Sequence, residues 1–335
     1  MMMELNVIYA CDDNYAPYAC ISICSLLENN KSFDAINIYV VLDNVSQENS
    51  RKLKEQIEVY KRKFIPIDAT ELNRKLCSLN VPKYRGSYAT NYRFLFEEYL
   101  EKNVSKFLYL DCDTIIAGSL KALVSIDMET SCALVAQDAL TNKYKKMLGF
   151  KNNESYFNAG VLFVDVENWK KFNCTEKLMD HIKNERAEYC NPDQDLLNIL
   201  LKNHVKYVGP EYNLQPIHKV LKSNSYKKIY ENEAYYSIEE IEFAKTNPKI
   251  IHVYRFLGQF PWHVNNQHPD TELFDYYMMI SEQKNYVKKW AKLSTIMKIE
   301  RTLYRFLPKS MFYRIFSIAQ SVSFKSQDRK LRKIK

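Results

Sequence analysis

Near the start of the chain, short apolar runs alternate with stretches of helical spacing, and this alternation restricts the fold more than any other feature. Residues 5–10, 36–42 and 64–68 read as strands, the third weakened by Pro66. Between them, residues 18–27 have helix-like apolar spacing, and behind Ser46, a suitable cap, Leu53, Ile57 and Tyr60 share one face. A β-α-β-α-β order predicts an α/β fold with a right-handed, doubly wound, mostly parallel sheet. A chain of 335 residues can bury a sizeable core, as one large domain with an appendage or as two domains. Ligands of such sheets bind beyond the carboxyl ends of the strands, so the polar residues there are the functional candidates.

Residues 107–116 form an apolar, β-branched run interrupted only by Asp111, Cys112 and Asp113, and read as a buried strand bent at Cys112. Side chains at i and i+2 of an extended backbone project to one side roughly 6.5–7 Å apart. The bend brings both carboxylates onto one cation. Two acids at the end of a core strand repel each other and resist desolvation, so they call for a positive partner, and a divalent metal carrying a phosphorylated ligand is the natural one. The same spacing also describes a solvated strand end, and the motif alone leaves both readings open.

Other strand ends carry further candidates. The first strand closes in Cys11, Asp12, Asp13, Asn14 and Tyr15 at a strand-to-helix turn. No Gly-x-Gly-x-x-Gly stands there, and with six glycines in all a glycine-rich phosphate loop is not expected. Asp12 and Asn14 suit a base or ribose, and equally suit a turn or helix cap. Arg93 sits in a segment of helical spacing, residues 88–100, among Tyr92, Phe96 and Tyr99; it is either a partner for the two carboxylates, a phosphate or a sugar, or a surface arginine. Residues 132–136 form a strand ending at Gln137 and Asp138. In the strand 156–164, Asn158, Ala159 and Gly160 interrupt the apolar run, and the glycine marks a bulge or a close backbone approach to a ligand. Pro192 suits a first helical position, which puts Asp193, Gln194 and Asp195 in the first turn, where the helix dipole favours acids and polar groups can also face a cleft. His252 lies in the strand 248–254, and an imidazole with two carboxylates suits Mn²⁺.

The charge is lopsided. Residues 284–335 hold fifteen Lys and Arg against two acids, a net of +13; with +8 overall, residues 1–283 carry −5. In the tail Trp290, Leu293, Met297, Leu303, Tyr304, Phe306 and Leu307 interleave with basic residues at helical spacing, so the chain divides into a folded catalytic body, residues 1–283, and a tail, residues 284–335, that reads as a membrane-surface segment. An oligomer interface is the competing reading. Nucleic acid is not an expected partner, because the body is acidic and has no nucleic-acid motif. Eight cysteines without a Cys-x-x-Cys pair read as reduced core thiols of a cytoplasmic protein. Glu4 and the lack of a long apolar stretch argue against a signal peptide or a membrane span.

Taken in order, Ala10 to Tyr15, Arg93, Leu110 to Asp113, Phe157 to Leu162, Asp193 to Asp195, His252 and Pro261-Trp262 resemble the family 8 glycosyltransferases, which include bacterial lipopolysaccharide galactosyl- and glucosyltransferases and glycogenin. The resemblance spans roughly residues 5 to 265 and implies a GT-A fold of the nucleotide-diphospho-sugar transferase type. It implies a retaining hexosyltransferase using UDP-galactose or UDP-glucose, an oligosaccharide or lipid-linked glycan acceptor, and Mn²⁺, with Mg²⁺ as the substitute. By this likeness Ala10, Asp12 and Asn14 hold uridine; Asp111, Asp113 and His252 bind the metal; and Arg93, Asn158, Ala159 and Asp193 surround the hexose. Gln194 lies under the anomeric carbon, Cys112 and Gly258 belong to the nucleotide-sugar site, and Asp138 lines the acceptor side. The basic tail is similar to that of the lipopolysaccharide enzymes and implies a peripheral place on the inner face of the plasma membrane. One departure stands out: the family's Lys before Pro-Trp is Phe260 here, and His252 is followed by a longer insert. Arg255 or a tail residue is the candidate replacement cation, and without one the chain becomes an impaired enzyme that binds nucleotide sugar or glycan at the membrane.

Overall fold

The structure is a computed structural model and describes residues 3–84, 86–186 and 188–332. Its centre is a seven-stranded sheet in the order β3-β2-β1-β4-β7-β6-β8, formed by Lys63–Asp68, Ala35–Asp43, Glu4–Asp12, Lys106–Leu110, Phe157–Asp165, Ala133–Gln137 and Val205–Tyr207. The pairs within β3-β2-β1-β4 and β6-β8 are parallel, whereas β7 runs antiparallel to both β4 and β6. The expected doubly wound, mostly parallel α/β sheet is therefore present. Helices cover both faces, which is why the middle of β1 is apolar: Val7, Ile8 and Tyr9 are fully buried. Ile8 and Tyr109 belong to one core layer, and Val7, Tyr9 and Leu108 to the other, which also takes Ala19, Cys20, Ile23 and Leu26 from the helix Ala16–Asn29.

Two expectations change. Residues 107–116 are not one bent strand, because β4 ends at Leu110 and β5, Thr114–Ile116, leaves the sheet to pair antiparallel with β9, Ile250–His252. Residues 88–100 are not an α-helix but two 3-10 segments, Ala89–Phe94 and Phe96–Glu98. All of residues 91–96 are buried, so the segment is wrapped on every side, and a one-faced amphipathic helix does not describe it.

The C-terminal helices Thr295–Phe306 and Lys309–Leu331 lie on the body. Phe312 and Tyr313 complete a separate core with Ile217, Tyr226, Tyr230 and Tyr235, where burying a side chain such as Phe312 contributes about 1.5–3 kcal/mol. Arg186 and Asp328 pair at 2.7 Å farther along the last helix. Among the described residues no helix is long and apolar enough to cross a membrane.

Candidate functional site

The topology gathers the candidate residues at one end of the sheet. β1 and β4 are parallel neighbours with Val7 opposite Leu108, so Ala10 and Asp12 end beside Asp111 and Asp113. Cys112 closes this junction by donating its thiol to the Ala10 carbonyl at 3.2 Å. β7 runs the other way and starts here, and the Asp111 N–H donates to the Gly160 carbonyl at 2.8 Å. β9 delivers His252 directly opposite Thr114.

Arg93 is buried and all three of its guanidinium nitrogens are engaged. Nη2 donates to Asp111 Oδ1 at 2.7 Å, Nη1 lies 3.2 Å from Asp193 Oδ2 and also donates to the Ala159 carbonyl, and Nε donates to the Thr90 carbonyl at 2.8 Å. The cation stacks 4.3 Å over the Tyr109 ring. This fork of donors fixes two carboxylates at once, which a lysine ammonium cannot reproduce.

Asn158 orients the histidine. Its Oδ1 accepts from the Gly160 N–H and from Asn213 Nδ2, both at 3.0 Å, and lies 3.1 Å from His252 Nδ1. An oxygen that only accepts requires the proton on Nδ1, which aims Nε2 at Asp113 Oδ1, 3.1 Å away, and at Asp111 Oδ2, 3.9 Å away. Burial opposes charge on His252, but Asp113 and Asp111 outweigh it and raise its pKa, so the cluster already attracts a cation. One ligand atom from each of Asp111, Asp113 and His252 lies within 4.8 Å of the others, two oxygens and a nitrogen with the histidine held from behind. This donor set fits Mn²⁺.

The helix Pro192–Leu201 adds the next layer. Gln194 is pinned at both ends: Oε1 accepts from the Ala159 N–H at 3.0 Å and Nε2 donates to Asp138 Oδ2 at 2.8 Å. Burial pushes the pKa of Asp138 and Asp193 up, against the hydrogen bonds of Gln194 and Asn158 on the first and the Arg93 charge beside the second. Asp195 turns inward instead, accepting from Tyr144 and, at 2.6 Å, from Tyr156, and burial raises its pKa to about 6.

Arg93, Asp111, Asp113, Asp138, Asn158, Ala159, Asp193, Gln194 and His252 thus form one bonded cluster, with Ala10 and Cys112 adjoining it. Asp12 lies at its edge, where Oδ1 accepts from the Tyr15 N–H at 2.9 Å, and Asn14 is exposed beside it. Gly258 is not bonded into the cluster; it has a left-handed backbone, φ 78°, and lies beneath Leu293 and Met297 of the C-terminal segment. Phe260 stacks on Trp262 at 4.4 Å, and Trp262 on Tyr18 at 3.8 Å, while Arg255 is exposed and its charge acts on Glu300. Asn213 was not a candidate; a fully buried asparagine in a loop leaves no periodic trace in sequence.

Comparison with known proteins gives these residues a context. Residues 6–266 match the model of glycosyl transferase family 8. A lipopolysaccharide 1,2-glucosyltransferase of Escherichia coli is 30% identical over 289 residues, covering 84% of this chain and 79% of the relative. General stress protein A of Bacillus subtilis strain 168 is 26% identical over 278 residues, covering 82% and 93%. Among solved structures, the galactosyltransferase LgtC in complex with donor and acceptor sugar analogs superposes with a TM-score of 0.65 at 22% identity, covering 83% of this chain and 96% of that one.

Proposed function

The chain belongs to glycosyltransferase family 8, and from that premise we propose that it is a retaining, Mn²⁺-dependent hexosyltransferase taking galactose or glucose from UDP to a glycan acceptor in bacterial surface polysaccharide or lipopolysaccharide synthesis. The observation that carries the reading is the convergence of Asp111, Asp113 and His252 beside the Arg93, Asp193 and Gln194 network. Similarity to a lipopolysaccharide 1,2-glucosyltransferase supports the donor and acceptor classes.

Asp111, Asp113 and His252 would hold the ion. When bound, Mn²⁺ supplies a Lewis acid for the diphosphate leaving group, and the histidine nitrogen favours it over Mg²⁺. Ala10, Asp12 and Asn14 take the uridine, with Cys112 and Gly258 on the nucleotide side, and Arg93, Asn158, Ala159 and Asp193 surround the hexose. Gln194 faces the anomeric carbon, but an amide is a weak nucleophile and its oxygen already accepts the Ala159 N–H. We therefore favour attack by the acceptor hydroxyl on the face the diphosphate leaves, its proton passing to the departing phosphate oxygen; the anomeric carbon becomes oxocarbenium-like as that bond breaks. Asp138 holds Gln194 and lines the acceptor side.

In this reading residues 1–283 form the catalytic body and residues 284–335 carry the attachment to anionic lipid on the inner face of the plasma membrane. Ile296, Ile299, Leu303 and Phe306 form one exposed stripe at helical spacing, and Met311, Ile315, Ile318 and Val322 a second, among the fifteen basic residues of the tail.

Phe260 favours a second reading. Its stacking on Trp262 puts an aromatic ring where the family pattern has a cation, and Arg255 faces Glu300, so a nucleotide-sugar or glycan binder without turnover is the alternative. The test is UDP release from a panel of UDP-sugars with Mn²⁺ or EDTA. Metal-dependent release from one donor supports the enzyme; UDP binding without release from any donor supports the binder.

A further inference from the structure

One side of the loop after His252 is covered by the C-terminal segment. A Cβ built on Gly258 falls 2.9 Å from Leu293 Cδ2 and 3.1 Å from Met297 Cγ, so these two side chains lie in van der Waals contact with the glycine backbone. The neighbouring contacts repeat the pattern. The Val264 N–H donates to the Lys289 carbonyl at 3.0 Å, Lys288 Nζ to the Pro261 carbonyl at 3.0 Å, and the Phe256 ring meets Tyr304 edge-on at 5.5 Å. Within the loop Phe256 and Gln259 bridge each other and the His263 N–H donates to the Phe260 carbonyl at 3.1 Å. His268 beside the Tyr254 carbonyl and Tyr18 under Trp262 tie the loop to the body, and the C-terminal segment covers its other side, so the stability of the loop depends on both.

We propose that Leu293 and Met297 are positioning residues: the segment 288–304 is a strap that sets the shape of the loop 254–264 and, through it, the affinity for the nucleotide diphosphate. This rests on the function proposed above. The loop starts two residues after a candidate metal ligand and carries Gly258 and Phe260, so its shape bears on the side of the cleft where the diphosphate would lie. The strap thereby makes the C-terminal segment a part of the donor site and not a detachable anchor.

The test compares full-length wild type with Leu293→Asp/Met297→Asp, with the exchanged pair Leu293→Met/Met297→Leu, and with Asp328→Ala, which removes, away from the loop, the ion pair with Arg186 that holds the last helix. Amide hydrogen exchange at Phe256, Gln259 and Val264 is read first, because it needs no ligand. UDP release is then measured against UDP-sugar concentration with Mn²⁺. The expected result is at least about tenfold faster exchange at these amides and at least about a tenfold rise in donor KM with kcat nearly unchanged for the aspartate pair, rescue by the exchanged pair, and a lower melting temperature with wild-type KM for Asp328→Ala. Unchanged exchange in the aspartate pair overturns the strap whatever the donor is. Faster exchange with an unchanged KM also overturns it, since the loop then does not serve the donor. If wild type neither binds UDP nor releases it from any UDP-sugar, the proposed function fails and takes the donor role with it, while the exchange data still report on the loop.

Discussion

Gly160→Ala places one methyl group where the cluster has no room. The new Cβ would lie 2.2 Å from His252 Cε1, 2.8 Å from His252 Nδ1 and 2.8 Å from Asp111 Oδ2. The φ of Gly160 is not positive, so the effect is steric and not one of backbone strain. Neither neighbour gives way freely: the His252 ring is held by Asn158 and the His252 backbone N–H donates to the Leu214 carbonyl, while Asp111 is clamped by Arg93. Relief requires moving two of the three candidate ligands. Overpacking of this kind costs about 1–3 kcal/mol of stability, and misplacing ligands through their support lowers metal affinity about 10–100-fold. Calorimetric titration with Mn²⁺, alongside thermal melts with and without the ion, reads both effects. The reasoning is refuted if Gly160→Ala binds Mn²⁺ as tightly as wild type and gains the same stabilisation from it.

Arg93→Ala leaves Asp111 and Asp193 in the cleft without their shared cation and should cost about 3–5 kcal/mol in thermal or denaturant unfolding, with Arg93→Lys recovering only part because it lacks the fork of donors. Asp195 makes stability depend on pH. Its folded pKa, about 6, lies above its ordinary 3.8, so its contribution is fully present below pH 3.8 and is lost as pH rises through about 6. That is about 3 kcal/mol across the window, and melting profiles of Asp195→Asn between pH 4.5 and 7.5 should lack this fall. Ile299→Glu/Phe306→Glu should abolish flotation with anionic vesicles while leaving the melting temperature near that of wild type, because both side chains are exposed.

The central strands were legible because a parallel strand covered on both faces must be largely apolar, as residues 5–10 and 36–42 are apart from Asn6 and Asn37, which bond to each other. The departure of β5 from the sheet was not, since Thr114, Ile115 and Ile116 have the composition of a continuing strand and only pairing with β9, far along the chain, tells otherwise. The candidate site divides in the same way. Asp111, Asp113 and His252 announce themselves as polar residues in apolar strands, whereas Arg93 was ambiguous until its two carboxylate partners were in place. Asp195 read as one more acid in a first helical turn, and only the fold shows its carboxylate buried between Tyr144 and Tyr156. The basic amphipathic tail was plain in sequence, but its second face, packed on the loop after His252 and on the core around Tyr226, was not. Residues on both sides of those helices are apolar, and periodicity cannot separate the side that packs from the side left exposed.

The most direct test of the account is UDP release by wild type and Asp113→Ala from whichever UDP-sugar wild type uses, with bound Mn²⁺ counted by electron paramagnetic resonance in the same samples. The account predicts one Mn²⁺ per wild-type chain in the presence of UDP and release abolished by EDTA, with Asp113→Ala losing both the ion and the activity. Asp113→Ala that still binds the ion and turns over the donor at the wild-type rate would contradict it.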